Sequence, residues 1–142
     1  MRFVTSALFL ATFALAAPAG ADEFAAGHVL IGTEAESGRP RLVEFDRDGT
    51  YVRTLDLGTE EDSGTIYGLV FGPDGHAYAG NVNSGQIFRV APDGTSTVFF
   101  DDADYVVGID GLSFGPDGDL YACGRSGTRQ DRKSTRLNSS HT

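Results

Sequence analysis

The chain has 142 residues, 40% apolar and 11% aromatic, with 19 glycines, a single cysteine and no tryptophan. That composition is globular and excludes a collagen-like or disulfide-dense chain. Twenty acidic residues against 11 Lys and Arg give a formal charge of −9, which argues against a nucleic-acid partner, because phosphate binding needs clustered cations.

The N-terminus reads as a targeting segment. Met1-Arg2 is a short positive start, Phe3 to Ala17 is an apolar run broken only by Thr and Ser, and Pro18 ends it. Ala19-Gly20-Ala21 then supplies the small residues that signal peptidase requires. We expect a bacterial Sec-type signal peptide over residues 1–21, and hence a periplasmic or extracellular protein. The run is shorter than the ~20 apolar residues of a membrane span, and no second such stretch follows, so the mature chain is expected to have no membrane span.

The C-terminus reads differently again. Asp131 to His141 spells DRKSTRLNSSH, has no apolar pattern and carries Lys133, the only lysine. It coincides with the conceptual translation of a sequencing adapter, so residues 131–142 are expected to be an artefact and disordered. Residues 22–130 are then the native part, read as the opening portion of a longer chain.

Within that part the sequence repeats. Gly68-Leu69-Val70-Phe71-Gly72-Pro73-Asp74-Gly75 recurs as Gly111-Leu112-Ser113-Phe114-Gly115-Pro116-Asp117-Gly118. His28-Val29-Leu30-Ile31-Gly32 aligns with His76-Ala77-Tyr78-Ala79-Gly80, and Asp48-Gly49-Thr50 with Asp93-Gly94-Thr95. Asp-Gly turns at 48, 74, 93 and 117 alternate between long and short spacings, so each unit carries two. The segments between them are rich in β-branched and aromatic residues, as short strands are. No stretch shows a sustained helical period with caps.

The expected fold is therefore all-β, built from four-stranded antiparallel meanders. In the central unit the strands are Tyr67 to Phe71, His76 to Gly80, Gln86 to Val90 and Thr95 to Phe100. The N-terminal unit supplies His28 to Gly32, Arg41 to Asp46 and Tyr51 to Asp56, and the C-terminal unit Gly111 to Phe114 and Asp119 to Cys123. Four short strands in about 40–45 residues match a β-propeller blade, so residues 22–130 are read as a partial propeller of about two and a half blades. A missing first strand in the N-terminal unit suggests that the ring closes by a C-terminal strand joining the N-terminal unit.

The motif G-L-x-F-G-P-D-G-x-x-Y-A, followed by S-G-Q-I-F-R-V-x-P-D-G, resembles the repeats of NHL propellers and of the gluconolactonase and luciferin-regenerating-enzyme-like group. The likeness covers Gly27 to Gln130. It implies a ring that is six-bladed when complete, and one of two functions. The first is a ligand-binding or interaction scaffold for a small molecule or protein; the second is a divalent-metal (Ca²⁺)-dependent lactonase or related hydrolase acting at the mouth.

In an antiparallel meander both Asp-Gly turns of a unit lie at one end, and the remaining connections gather at the other. That other end collects Glu34, Glu36, Glu60, Glu61, Asp62, Asn81, Asn83, Asp101, Asp102, Asp104 and Asp110. Such carboxylates and amides have the hard-oxygen chemistry of a Ca²⁺ site; a solvated acidic surface is the competing reading. Asp110-Gly111-Leu112 resembles the lactonase segment whose aspartate binds the metal, which would make Asp110 a ligand that helps activate water; alternatively it caps a turn. The preceding unit has Tyr67 at that place. His28 and His76 hold equivalent positions and read as repeat structure. Cys123 reads as a small buried hydrophobe on a strand. No G-x-S-x-G, C-x-x-C, H-E-x-x-H or phosphate loop is present.

Overall fold

The computed structural model describes residues 24–34, 38–59, 62–101, 106–125 and 134–137. The signal segment, and with it any test of export, lies outside the described residues, as do Glu36, Glu60, Glu61, Asp102 and Asp104.

The β-branched and aromatic segments form strands, each ended by a glycine-containing turn or a polar loop. They are β1 (Val29–Glu34), β2 (Pro40–Phe45), β3 (Tyr51–Asp56), β4 (Ile66–Phe71), β5 (Ala77–Asn81), β6 (Ile87–Val90), β7 (Ser96–Phe100), β8 (Gly108–Phe114), β9 (Leu120–Arg125) and β10 (Ser134–Leu137). All pairings are antiparallel, in sheets ordered β1-β2-β3, β4-β5-β6-β7 and β8-β9-β10. The described residues contain no helix, and none therefore long and apolar enough to cross a membrane.

Within the C-terminal segment, Ser134–Leu137 pairs with β9, Ser134 opposite Cys123 and Leu137 opposite Leu120. The physical reason is that β9 otherwise presents a row of unpaired backbone groups, a template for any extended segment within reach.

Four Asp-Gly turns share one geometry. In each, the first residue's N–H donates to the carbonyl four residues on: Asp46 to Thr50, Gly72 to His76, Ala91 to Thr95, Gly115 to Asp119. The glycine N–H returns to the first residue's carbonyl. Gly49, Gly75, Gly94 and Gly118 have φ between 77° and 96°, the left-handed region that glycine enters at least cost. Aspartate oxygens secure the turns further: Asp74, Asp93 and Asp117 accept from the N–H two residues on, at 3.2, 2.8 and 3.2 Å. Pro-Asp-Gly is thus turn chemistry.

Two apolar layers bind the sheets together in chain order. Leu42, Leu55 and Leu57 from the first sheet meet Ile66, Ala77, Ala79, Phe88 and Val90 from the second. On the other face of the second sheet, Tyr78 and Ile87 meet Val106, Ile109, Leu120 and Ala122. The Tyr78 ring lies edge-on to Phe99 and Phe114, each 5.1 Å away. Strand alternation thus splits β5 between the layers, with Ala77 and Ala79 facing one and Tyr78 the other.

Candidate functional site

At the end opposite the Asp-Gly turns, the connections between strands touch one another. Gly64 N–H donates to the Gly38 carbonyl at 2.7 Å, Val82 N–H to Thr65 at 3.0 Å, and the Arg39 guanidinium to the Gly58 carbonyl at 2.9 Å. This is where the sequence gathered its acidic and amide residues.

Asn81 is the hub of that end. It is fully buried; its Nδ2 donates to the Ser63 carbonyl at 2.8 Å, and its Oδ1 accepts from the N–H groups of Asn83 (2.9 Å) and Ser84 (3.3 Å). Asn83 Oδ1 in turn accepts from Thr65 N–H at 3.0 Å. Both amides, expected as oxygen donors to a ligand, hold the loops' own backbone instead.

Asp62 behaves the same way. Its carboxylate accepts from Thr59 N–H at 2.6 Å and from the Thr59 hydroxyl at 2.9 Å. The backbone donor is the main reason its pKa lies below the usual carboxylate value; partial burial opposes the shift, and the Thr59 hydroxyl, Gln86 and Arg39 add to it. Asp101 is exposed and accepts from Gln86 Nε2 at 3.3 Å.

Asp110 and Tyr67 occupy corresponding irregularities. The register of β4 on β5 shifts between Ile66 and Gly68, and that of β8 on β9 between Ile109 and Gly111. Each shift leaves one extra residue, Tyr67 or Asp110, and both are exposed. Bulges re-aim side chains in this way and are common beside functional sites. Asp110 Oδ1 lies 3.5 Å from the Arg125 guanidinium, with both side chains largely exposed, a pairing worth about 0–1 kcal/mol. Among the described residues no three of His, Cys, Asp and Glu converge as a metal-binding group.

The turn end holds two networks that the sequence reading missed. Glu44 on β2 is buried and accepts from His28 Nδ1 at 2.7 Å and Arg53 Nε at 2.5 Å, while Arg53 also donates to the Pro92 carbonyl in the next sheet at 2.6 Å. Burial alone would raise the Glu44 pKa, but the hydrogen bonds and charges of Arg53 and His28 outweigh it and hold it below the usual value. In the second sheet Asp74 accepts from Tyr78 OH at 2.9 Å and Arg89 at 2.8 Å, and Arg89 reaches His76 Nδ1 at 3.3 Å. Burial, then the bond to Asp74, pushes the Tyr78 hydroxyl up to about 12. The two histidines are therefore part of the repeat, as read from the sequence. The available signal for Glu44 was its parity: it shares a strand face with Leu42, a core residue.

Nearby, Phe24 to His28 and the Phe71–Gly75 turn enclose an open cleft of about 360 Å³. Cys123, expected inside, is exposed on β9; its strand lies in the third sheet, and the face it sits on is uncovered among the described residues.

No family model and no curated protein matches the chain. Among solved structures it is similar to a protein of unknown function from Bacteroides caccae, at 12% identity and a TM-score of 0.45. The match covers 81% of this chain and 48% of that one, so the chain spans less than half the length of that protein.

Proposed function

We propose that this chain is part of an exported β-propeller of the NHL/gluconolactonase-like kind, six-bladed when complete, serving as a binding scaffold in the periplasm or outside the cell. Each sheet corresponds to a blade, and the acidic loop end is the ligand-facing mouth. One observation carries the reading: Asp62, Asn81 and Asn83 are committed to the backbone of the loops at that end, while the bulge residues Tyr67 and Asp110 stand exposed at corresponding places. A rigid frame that displays one variable residue per unit is suited to recognition.

The experiment is hydrolysis of an aldonolactone by the protein with its signal removed, with and without a chelator of divalent cations. A scaffold gives no chelator-sensitive turnover. Turnover that is lost both in chelator and in Asp110→Ala would overturn this reading in favour of the Ca²⁺-dependent lactonase, with Asp110 as a metal ligand.

A further inference from the structure

The cleft at the turn end lies away from the acidic loops, and a departure from the repeat builds it. Its two sides are the segment Phe24 to His28 and the turn Phe71 to Gly75. These are corresponding pieces of chain: Gly27 has a φ of 86° where Gly75 has 77°, and each glycine is followed by a histidine that leads into a strand. The residue before the glycine differs. In the second sheet Asp74 gathers Tyr78 and Arg89, whereas Ala26 stands at its place in the first and lines the cleft with a methyl group.

The residue that meets the histidine differs too. Leu30 pairs with Glu44 as Tyr78 pairs with Arg89, so Glu44 takes the place of Arg89. Arginine only donates, and an ionised carboxylate only accepts. Arg53 keeps Glu44 ionised, so His28 Nδ1, 2.7 Å away, carries the proton and donates it. In the neutral ring the lone pair is then on Nε2. Glu44 is buried while His28 lines the cleft, which leaves Nε2 as the ring nitrogen available to an occupant. The rest of the lining is mostly apolar: Phe24 and Phe71 meet edge-on with centroids 5.4 Å apart, beside Ala25 and Pro73. About 360 Å³ falls within the ~300–1,000 Å³ of small-molecule sites, where an apolar lining is joined by a few fixed polar groups.

We propose that this cleft binds a small phenol, its ring against Phe24 and Phe71 and its hydroxyl donating to His28 Nε2. The inference goes beyond the reading of the acidic mouth and does not depend on it. An uncharged donor suits the site better than an anion, because a carboxylate brings only acceptors to an accepting nitrogen. Arg47, whose side chain passes beside Gly27, is the group an anion would seek instead.

The test titrates the full chain at pH 8 with phenol, toluene and benzoate and follows the histidine ring nitrogens by NMR. In the free chain His28 is protonated at Nδ1, and phenol moves its Nε2 resonance while leaving those of His76 and His141 in place. Toluene, which lacks the donor, binds about tenfold more weakly, and benzoate no better than toluene. Phe71→Ala, at a half-exposed position of the lining, weakens phenol binding by about threefold or more with the β5 and β6 amide signals unchanged. A proton on Nε2 in the free chain, equal binding of phenol and toluene, or phenol affinity unchanged in Phe71→Ala would overturn the proposal. Benzoate binding tighter than phenol would overturn it as well, and would assign the cleft to anions held by Arg47.

Discussion

Asn81→Asp separates a loop pin from a metal ligand. Asn81 is fully buried, with one donated and two accepted hydrogen bonds, all to backbone. Truncation to alanine strands the Ser63 carbonyl and the N–H groups of Asn83 and Ser84. A fully orphaned group costs about 1–3 kcal/mol, but Ser63 and Asn83 are exposed and water replaces part of the loss. The expected cost of Asn81→Ala is therefore about 2–4 kcal/mol. Aspartate keeps both acceptors but turns an oxygen towards the Ser63 carbonyl, leaving a buried carboxylate without its donor. That costs about 3–5 kcal/mol, or more than about 10 °C in Tm for a domain of this size. Burial raises the pKa of such a carboxylate. The penalty is then greatest at neutral pH and shrinks as falling pH protonates the group. Urea unfolding at neutral and at mildly acidic pH, with and without millimolar Ca²⁺, reads all of this. An Asn81→Asp variant as stable as the parent at neutral pH, or restored by Ca²⁺, would refute the reasoning, because a ligand position gains from the added charge.

Three further outcomes follow from the packing and the turns. The Glu44 carboxylate is held below its ordinary 4.5, so its contribution is complete above that value and is lost as pH falls through the lowered folded value. Glu44→Gln should cost about 1–3 kcal/mol at neutral pH, with the two unfolding midpoints converging in acid. Gly49→Ala should cost about 1–2 kcal/mol by chemical denaturation, since φ is 80° and a Cβ there meets nothing within 4 Å; Gly49→Asn should cost less. Phe88→Ala empties the centre of the first apolar layer, where Phe88 is fully buried, and should cost about 3–5 kcal/mol.

The strands were legible because their punctuation is chemical. Aspartate and glycine at 48–49, 74–75, 93–94 and 117–118 mark where the chain reverses, and the apolar runs between them have little choice but to extend. Even the correspondence of Tyr67 with Asp110 followed from alignment alone, and the bulges account for it. The fate of the polar loop residues was not legible. Asn81 and Asp62 have the composition of ligands, but their donors are backbone N–H groups whose directions depend on how neighbouring sheets stack. Glu44 was missed for a related reason. Its partners His28 and Arg53 come from the strands or turns on either side, and only the register places all three together. Composition names what a side chain can bond; topology decides which partner reaches it first.

Position 32 and its counterparts carry this furthest. Gly32 leaves room for Ile66, and Gly80 leaves room for Ile109. In both cases the missing side chain lets the next sheet's first strand approach closely. The third sheet has Cys123 at this place, opposite Gly111. A Cβ on Gly111 would stand 3.0 Å from the Cys123 sulfur, so the thiol occupies the space that glycine leaves open in the other two sheets. An isoleucine corresponding to Ile66 and Ile109 therefore cannot seat there without displacing the sulfur. Whatever packs on the exposed face of the third sheet must present a smaller side chain, or approach from farther out, than the strands that pack on the first two. The repeat is regular in its turns, where aspartate and glycine leave no alternative. It varies at a position where one sheet closely meets the next.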